Sequence, residues 1–110
     1  MFGAQGSEID IAMLERLRAK GEDVKIVDLR EAWEREICAL ADSIAIPLEE
    51  LPARVGELPE AETLVLLCHH GVRSLQAAMW LKGQGFENVV SLRGGIDAWA
   101  SEVEPGMRRY

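Results

Sequence analysis

Short apolar runs and amphipathic stretches follow one another along the chain and predict alternating strands and helices. The most apolar run, residues 63–68 (TLVLLC), has the length and continuity of a strand buried on both faces, as in a parallel sheet. Asp10 is placed to cap a helix that ends at Gly21. Similar patterns predict strands at residues 24–29, 43–47 and 88–92, and helices at residues 31–36, 48–58, 73–84 and 96–103.

This alternation predicts an α/β fold, with a mostly parallel sheet of about five short strands flanked by helices. The 110 residues suffice for a single domain, 1–110, with residues 1–7 as a loose lead-in. Residues 104–110 are interpreted as a plain C-terminal tail, with a docking element as the alternative. Because ligands bind beyond the carboxyl ends of parallel strands, Cys68 is expected at the binding edge of the sheet.

Composition and charge narrow the range of functions. The chain is 48% hydrophobic and 28% charged, which is typical of a globular domain. It has no apolar run of membrane-spanning length and no signal-peptide pattern at its N-terminus, so we expect a cytoplasmic protein. A net charge of −7 argues against nucleic acids and anionic membranes as partners. The two cysteines lack zinc-site spacing, and neither a disulfide scaffold, a metal nor a cofactor is predicted.

The acidic residues are unevenly distributed. Residues 1–63 carry 15 acidic and 7 basic side chains, whereas residues 64–110 carry 4 and 5. Residues 63–86 contain no carboxylate but include Arg73, Lys82 and two histidines. A segment without acids suits an anion-binding site, although a segment that is mostly core also carries few charges. The charge pattern alone leaves both explanations open.

The loop that follows the apolar strand, Cys68-His69-His70-Gly71-Val72-Arg73-Ser74, favours the anion-binding explanation. A short turn between a strand and a helix N-terminus directs backbone N–H groups inward, and these groups stabilise an anion such as a thiolate. Gly71 provides the backbone freedom for the turn, and Arg73 provides a planar cation suited to a multi-oxygen anion. The alternative is a buried core cysteine beside a solvated arginine. An arginine at a helix start opposes the helix dipole, so we prefer the nucleophilic site.

At this point the chain resembles the single-domain rhodanese-like sulfurtransferases over nearly its whole length. The resemblance is carried by VDLREAWE (residues 27–34), IAIPLEEL (44–51), CHHGVRS (68–74) and LRGGIDAW (92–99), in matching order and spacing. It implies that Cys68 takes a sulfane sulfur from a donor such as thiosulfate, forms a persulfide and passes the sulfur to a thiophilic acceptor, which is cyanide in vitro. The implied substrate-binding residues are His69, His70, Gly71, Val72, Arg73 and Ser74.

A related class, the phosphatases and arsenate reductases with a similar loop, is a weaker match. Their loop between cysteine and arginine is one residue longer than residues 69–72 here, and they commonly place a histidine where Leu67 stands. The shorter loop suits a single sulfur atom better than a phosphate.

The remaining candidates are interpreted mainly as supports. Asp28 and Arg30 match the Asp-x-Arg of the family, and the resemblance makes them supports of the loop and of one another's charges. Glu34 is a further partner for Arg30 or part of a solvated pair. His69 and His70 are expected to line the mouth of the site, with assistance by protonation as the alternative.

Cys38 and the partners of the chain leave further alternatives. Cys38 is expected to pack in the core, and the alternative is a resolving thiol for Cys68. The second function class is a sulfur relay or interaction module, in which proteins bearing persulfides replace thiosulfate as donor and acceptor.

Overall fold

A five-stranded parallel sheet runs through the structure, a computed structural model in which residues 6–110 are described. The strand order is β1-β5-β4-β2-β3 and every neighbouring pair is parallel. The strands are β1 (Glu8–Ile9), β2 (Val24–Asp28), β3 (Ile44–Ala45), β4 (Thr63–Leu67) and β5 (Val89–Leu92). The helices are α1 (Ile11–Ala19), α2 (Ala32–Ile37), α3 (Leu51–Arg54), α4 (Val72–Gly83) and α5 (Gly95–Glu102). The predicted α/β fold with about five parallel strands is confirmed.

The central strand β4 explains why the sheet is parallel and covered on both faces. All five of its residues are buried, so neither face of this strand meets solvent. Val65 and Leu67 belong to the core layer under α1 and α5, whereas Leu64 and Leu66 belong to the layer under α3 and α4. The continuous apolar run therefore encodes a strand between two helical layers.

Strand β1 was not predicted. It has only two residues, too few for a hydrophobic period, and it is defined by its pairing with β5. The backbone N–H of Ser91 donates to the carbonyl of Ser7 at 2.7 Å, and that of Arg93 donates to Ile9 at 2.8 Å. The end of the predicted lead-in thus contacts the sheet, and residues 1–5 lie outside the described residues.

Several predicted boundaries also need correction. Strand β3 is shorter than residues 43–47, because it pairs only with β2 at the edge of the sheet and is followed by Ile46 and Pro47. The predicted helix at 48–58 is divided into α3 and a 3₁₀ turn on each side of it. Helix α4 begins at Val72, one residue before the predicted start, because Gly71 turns the chain with φ 95°.

The carboxyl ends of β2, β4 and β5 meet at one edge of the sheet. These strands end at Asp28, Leu67 and Leu92, so the segments that begin with Leu29, Cys68 and Arg93 emerge side by side. The position predicted for a binding site is therefore the place where three neighbouring strands end. Among residues 6–110, no helix has both the length and the apolar character needed to cross a membrane.

Candidate active site

The sulfur of Cys68 lies at the base of the loop between β4 and α4 and accepts backbone hydrogen bonds. Cys68 is 1% exposed. Its Sγ is 3.0 Å from the backbone N of Gly71 and 3.4 Å from the backbone N of Ser74. The Ser74 hydroxyl lies 3.3 Å from the same sulfur and 2.6 Å from the hydroxyl of Ser91 on β5. Two amides, one of them from the first turn of α4, and a hydroxyl therefore surround this sulfur and favour a negative charge on it.

Gly71 allows the loop to be this short. Its φ of 95° is unfavourable for residues with a side chain, and a Cβ at this position would lie 2.9 Å from the backbone N of Gly94 and 3.1 Å from the carbonyl oxygen of Leu92. The same residue donates the shorter hydrogen bond to Cys68 Sγ and N-caps α4. Backbone conformation and sulfur binding are thus combined in one glycine.

The N-terminus of α5 supports the loop from the side of β5. The backbone N–H of Ile96 donates to the carbonyl of Cys68 at 2.9 Å, and that of Asp97 donates to the carbonyl of His69 at 3.1 Å. A Cβ on Gly95 would collide with both of these carbonyl oxygens. Gly95 must therefore remain small, because the active-site loop lies against it.

The guanidinium of Arg73 forms an ion pair with the carboxylate of Glu34. Its Nη1 and Nη2 donate to the two carboxylate oxygens of Glu34 at 3.1 and 3.0 Å. The Glu34 side chain is 6% exposed, so the solvated pair considered from the sequence is wrong. The hydrogen bond with Glu34 raises the pKa of Arg73 above its ordinary value. Although burial raises the pKa of Glu34, hydrogen bonds from Arg73 and the Glu31 amide outweigh burial and lower it overall.

Arg30 pairs with Asp28 and not with the carboxylate of Glu34. Both members of the pair are 0% exposed, and Arg30 donates from Nε and Nη2 to the two carboxylate oxygens of Asp28 at 3.0 and 2.8 Å. Only the backbone carbonyl of Glu34 accepts from Arg30, at 3.3 Å. Burial by itself lowers the pKa of Arg30, but hydrogen bonds to Asp28 and Tyr110 raise it overall. The carboxylate of Glu34 therefore pairs with Arg73, which is 39 residues away in the sequence. The partner considered from the sequence was Arg30, which is only four residues away.

The C-terminal tail reaches the active site, a contact that the sequence interpretation as a plain extension missed. The ring of Tyr110 stacks on His69, with centroids 3.8 Å apart and planes 12° apart. The Tyr110 hydroxyl accepts a hydrogen bond from Arg30 Nη1 at 3.2 Å. Arg109 donates to Asp97 at 2.9 Å. The sequence shows that this acidic chain ends in two basic residues and one aromatic residue. It does not show which residues these side chains contact.

The two histidines of the loop differ in their surroundings. His69 lies between the rings of Tyr110 and His70, and its Nε2 has no hydrogen-bond partner among the described residues. Burial, and then the neighbouring His70, lower the pKa of His69 below its ordinary value of 6.5. The His70 side chain is 62% exposed, and its Nδ1 is 3.9 Å from the Asp97 carboxylate. Val72, also predicted at the site, is the first residue of α4 and its side chain is exposed.

Cys38 lies beside the Arg30 network. Its carbonyl accepts from Arg30 Nη2 at 2.8 Å, and its Sγ is 3.8 Å from Arg30 Nη1. It packs against the core layer under α1 and α5, and both cysteines are free thiols. No group of three or more potential metal ligands is found among residues 6–110.

Comparison with known proteins identifies the class. The model of the rhodanese-like domain family matches residues 11–102. A sulfurtransferase of Allochromatium vinosum is 39% identical over 99 residues, which cover 90% of this chain and 92% of that protein. A putative sulfur carrier protein of Bacillus subtilis, YrkF, is 33% identical over 88% of this chain, but the match spans only 52% of YrkF. A crystal structure of a rhodanese-related protein from Thermoplasma volcanium has a TM-score of 0.75 and 31% identity, covering 89% of this chain and 94% of that one.

The chain belongs to the rhodanese-like domain family. Its relatives include proteins named as sulfurtransferases and as a putative sulfur carrier, and this supports a role in sulfur transfer.

Proposed function

We propose that this protein is a sulfurtransferase that carries a sulfane sulfur on Cys68 as a persulfide. The observation that carries the proposal is the geometry at the sulfur, where the amides of Gly71 and Ser74 point at Cys68 Sγ at the end of a buried strand. A thiolate is both the required nucleophile and the charge that such donors stabilise. The donor is thiosulfate or a persulfide, and cyanide serves as acceptor in vitro.

The first half-reaction with thiosulfate is a displacement at the outer sulfur. The Cys68 thiolate attacks that sulfur, a new S–S bond forms, and the S–S bond of thiosulfate breaks with its electron pair leaving on sulfite. The thiolate and the dianion are thereby converted into a persulfide anion and a sulfite dianion, so charge is conserved. In the second half-reaction cyanide attacks the terminal sulfur of the persulfide, which releases thiocyanate and restores the thiolate.

The residues of the loop have separate tasks in this scheme. The amides of Gly71 and Ser74, with the Ser74 hydroxyl, stabilise the thiolate before the transfer. Inward-facing amides of the loop then receive the terminal persulfide sulfur. His69 and His70 line the mouth, and the buried pair of Asp28 and Arg30 supports the adjoining segment without touching the reacting atoms.

Intact-protein mass spectrometry after exposure to thiosulfate tests the proposal. The unmodified protein should gain one sulfur, about 32 Da, that cyanide removes. The Cys68→Ser protein should gain none, whereas Cys38→Ser should behave like the unmodified protein. An adduct that survives in Cys68→Ser, or its loss only in Cys38→Ser, would show that the sulfur is carried elsewhere.

A second candidate function is a protein-to-protein sulfur relay, which the name of the relative YrkF as a putative sulfur carrier favours. In that case a persulfidated protein should load Cys68 rapidly, while thiosulfate gives a high KM and slow turnover. Comparing the two loading rates on the same preparation separates the candidates. For either function we propose a cytoplasmic location, since a reducing compartment retains free cysteines such as Cys38 and Cys68.

A further inference from the structure

The bidentate pair between Arg73 and Glu34 changes the charge that a donor meets at the active site. Glu34 is held from two directions, because its carboxylate also accepts from the backbone N–H of Glu31 at 3.2 Å, at the start of α2. The pKa of Glu34 lies below its ordinary value, so the side chain is ionised at neutral pH. With its side chain 6% exposed, it has little freedom to release Arg73 to an incoming anion.

The other charges around the loop do not restore a positive site. Arg30 is matched by Asp28, and Arg109 is matched by Asp97, which also lies 3.9 Å from His70. Arg73 also lines a groove of about 300 Å³ whose other residues are Leu29, Glu31, Leu48 and Glu49. Two further acidic residues, Glu31 and Glu49, thus line the same groove as Arg73, whose guanidinium is already paired with Glu34. This environment disfavours a donor with two negative charges more than a donor with one.

We propose that Glu34 is a specificity-determining residue, which neutralises Arg73 and makes the site favour singly charged sulfane donors, such as thiol persulfides, over the thiosulfate dianion. This inference rests on the proposed function of Cys68 and specifies its substrate class. In the preferred reaction the Cys68 thiolate attacks the terminal sulfur of R–S–S⁻, the donor S–S bond breaks, and R–S⁻ leaves. One thiolate and one persulfide anion are present on each side of this exchange.

The experiment compares two donors of similar shape and different charge. Thiosulfate has two negative charges, whereas methanethiosulfonate has a methyl group in place of one oxygen and a single charge. Both transfer the outer sulfur, releasing sulfite and methanesulfinate respectively. The rate constant for Cys68 persulfide formation is measured for each donor by timed intact-mass spectrometry, and the ratio of the two constants removes differences in intrinsic reactivity between variants.

The Glu34→Gln substitution should make the site accept the dianion better. Removing one charge should raise the rate constant about tenfold for thiosulfate and about threefold for methanethiosulfonate, since the electrostatic energy scales with donor charge. Glu62→Gln is the matched control, because Glu62 is exposed immediately before β4, about 16 Å along the strand from its Cys68 end. It removes the same net charge and should leave the donor ratio unchanged. In the double variant that carries both Glu34→Gln and Arg73→Gln, the increase in the rate constant with thiosulfate should disappear.

Salt dependence provides a measurement that needs no variant. In the unmodified protein, higher ionic strength should increase the rate constant with thiosulfate more than that with methanethiosulfonate, because salt screens repulsion. The specificity role of Glu34 would be overturned if Glu34→Gln changed the rate constants for both donors by the same factor, or if it reacted more slowly with thiosulfate. A decrease with salt in the unmodified protein would do the same. If neither donor adds sulfur to Cys68 in any variant, the proposed function itself fails, which is a separate result.

Discussion

Gly71 and Gly85 form a natural pair for measuring what the close packing of the active-site loop contributes. Their φ angles are 95° and 101°, so alanine meets a similar backbone penalty at each position. Their surroundings differ. A Cβ on Gly71 would lie 2.9 Å from the backbone N of Gly94, whereas a Cβ on Gly85 has nothing within 4 Å. The difference between the two alanine variants therefore reports the close packing of the loop, together with the hydrogen bond that the Gly71 amide donates to Cys68 Sγ.

The expected magnitudes follow from these two terms. Gly85→Ala should lower the free energy of unfolding by about 1–2 kcal/mol, the cost of a side chain in the left-handed region. Gly71→Ala adds about 1–3 kcal/mol, because the neighbouring atoms are backbone and cannot rotate away. The loss of unfolded-chain entropy on replacing glycine is the same in both and cancels. At roughly 4 °C per kcal/mol for a domain of this size, the two melting temperatures should differ by about 4–12 °C.

Thermal unfolding and persulfide formation are measured on both variants. Gly85→Ala should form the Cys68 persulfide at the unmodified rate. Persulfide formation in Gly71→Ala should be slowed about tenfold or more. The amide of residue 71, which lies 3.0 Å from Sγ in the unmodified protein, is displaced, and a hydrogen bond to a charged group is lost. Equal stability losses in the two variants would refute the packing argument. An unchanged rate in a destabilised Gly71→Ala protein would refute the role of the amide.

Three further predictions concern the support of the site. Asp28→Asn should destabilise the fold by about 3–5 kcal/mol in denaturant titrations, since it leaves Arg30 charged and fully buried, and a loss below about 1 kcal/mol would contradict this. Tyr110→Phe retains the ring that stacks on His69 but removes one of the acceptors for Arg30, and should cost about 1–2 kcal/mol in the same assay. The absence of any loss would contradict a contribution of this hydrogen bond to stability. The lowered pKa of His69 means that the unfolded chain takes up its proton first, so stability should fall as the pH decreases below 6.5. Over that pH range the melting temperature of His69→Gln should fall less than that of the unmodified protein. An equal fall in both proteins would contradict the lowered pKa of His69.

Local features of the fold and of the candidate site could be predicted from the sequence. The continuous apolar run before Cys68 predicts a strand covered on both faces, and its end predicts a ligand position at the sheet edge. The requirement for glycine at position 71 follows from the short turn between strand and helix. Such features depend on residues close together in the chain, so hydrophobic period and spacing are sufficient to indicate them.

Contacts between distant segments were decided only by the tertiary structure. The sequence offered Arg30 as the partner of Glu34, but the parallel order of β2 and β4 brings α2 to the start of α4, and Arg73 takes the carboxylate instead. In the same way Tyr110 meets Arg30 across 80 residues. Ion pairs and ring contacts of this kind have no period in the sequence, because they depend on which loops the sheet brings together. The sequence by itself therefore indicates where the reactive sulfur lies, and the packing of the sheet determines which charges surround it.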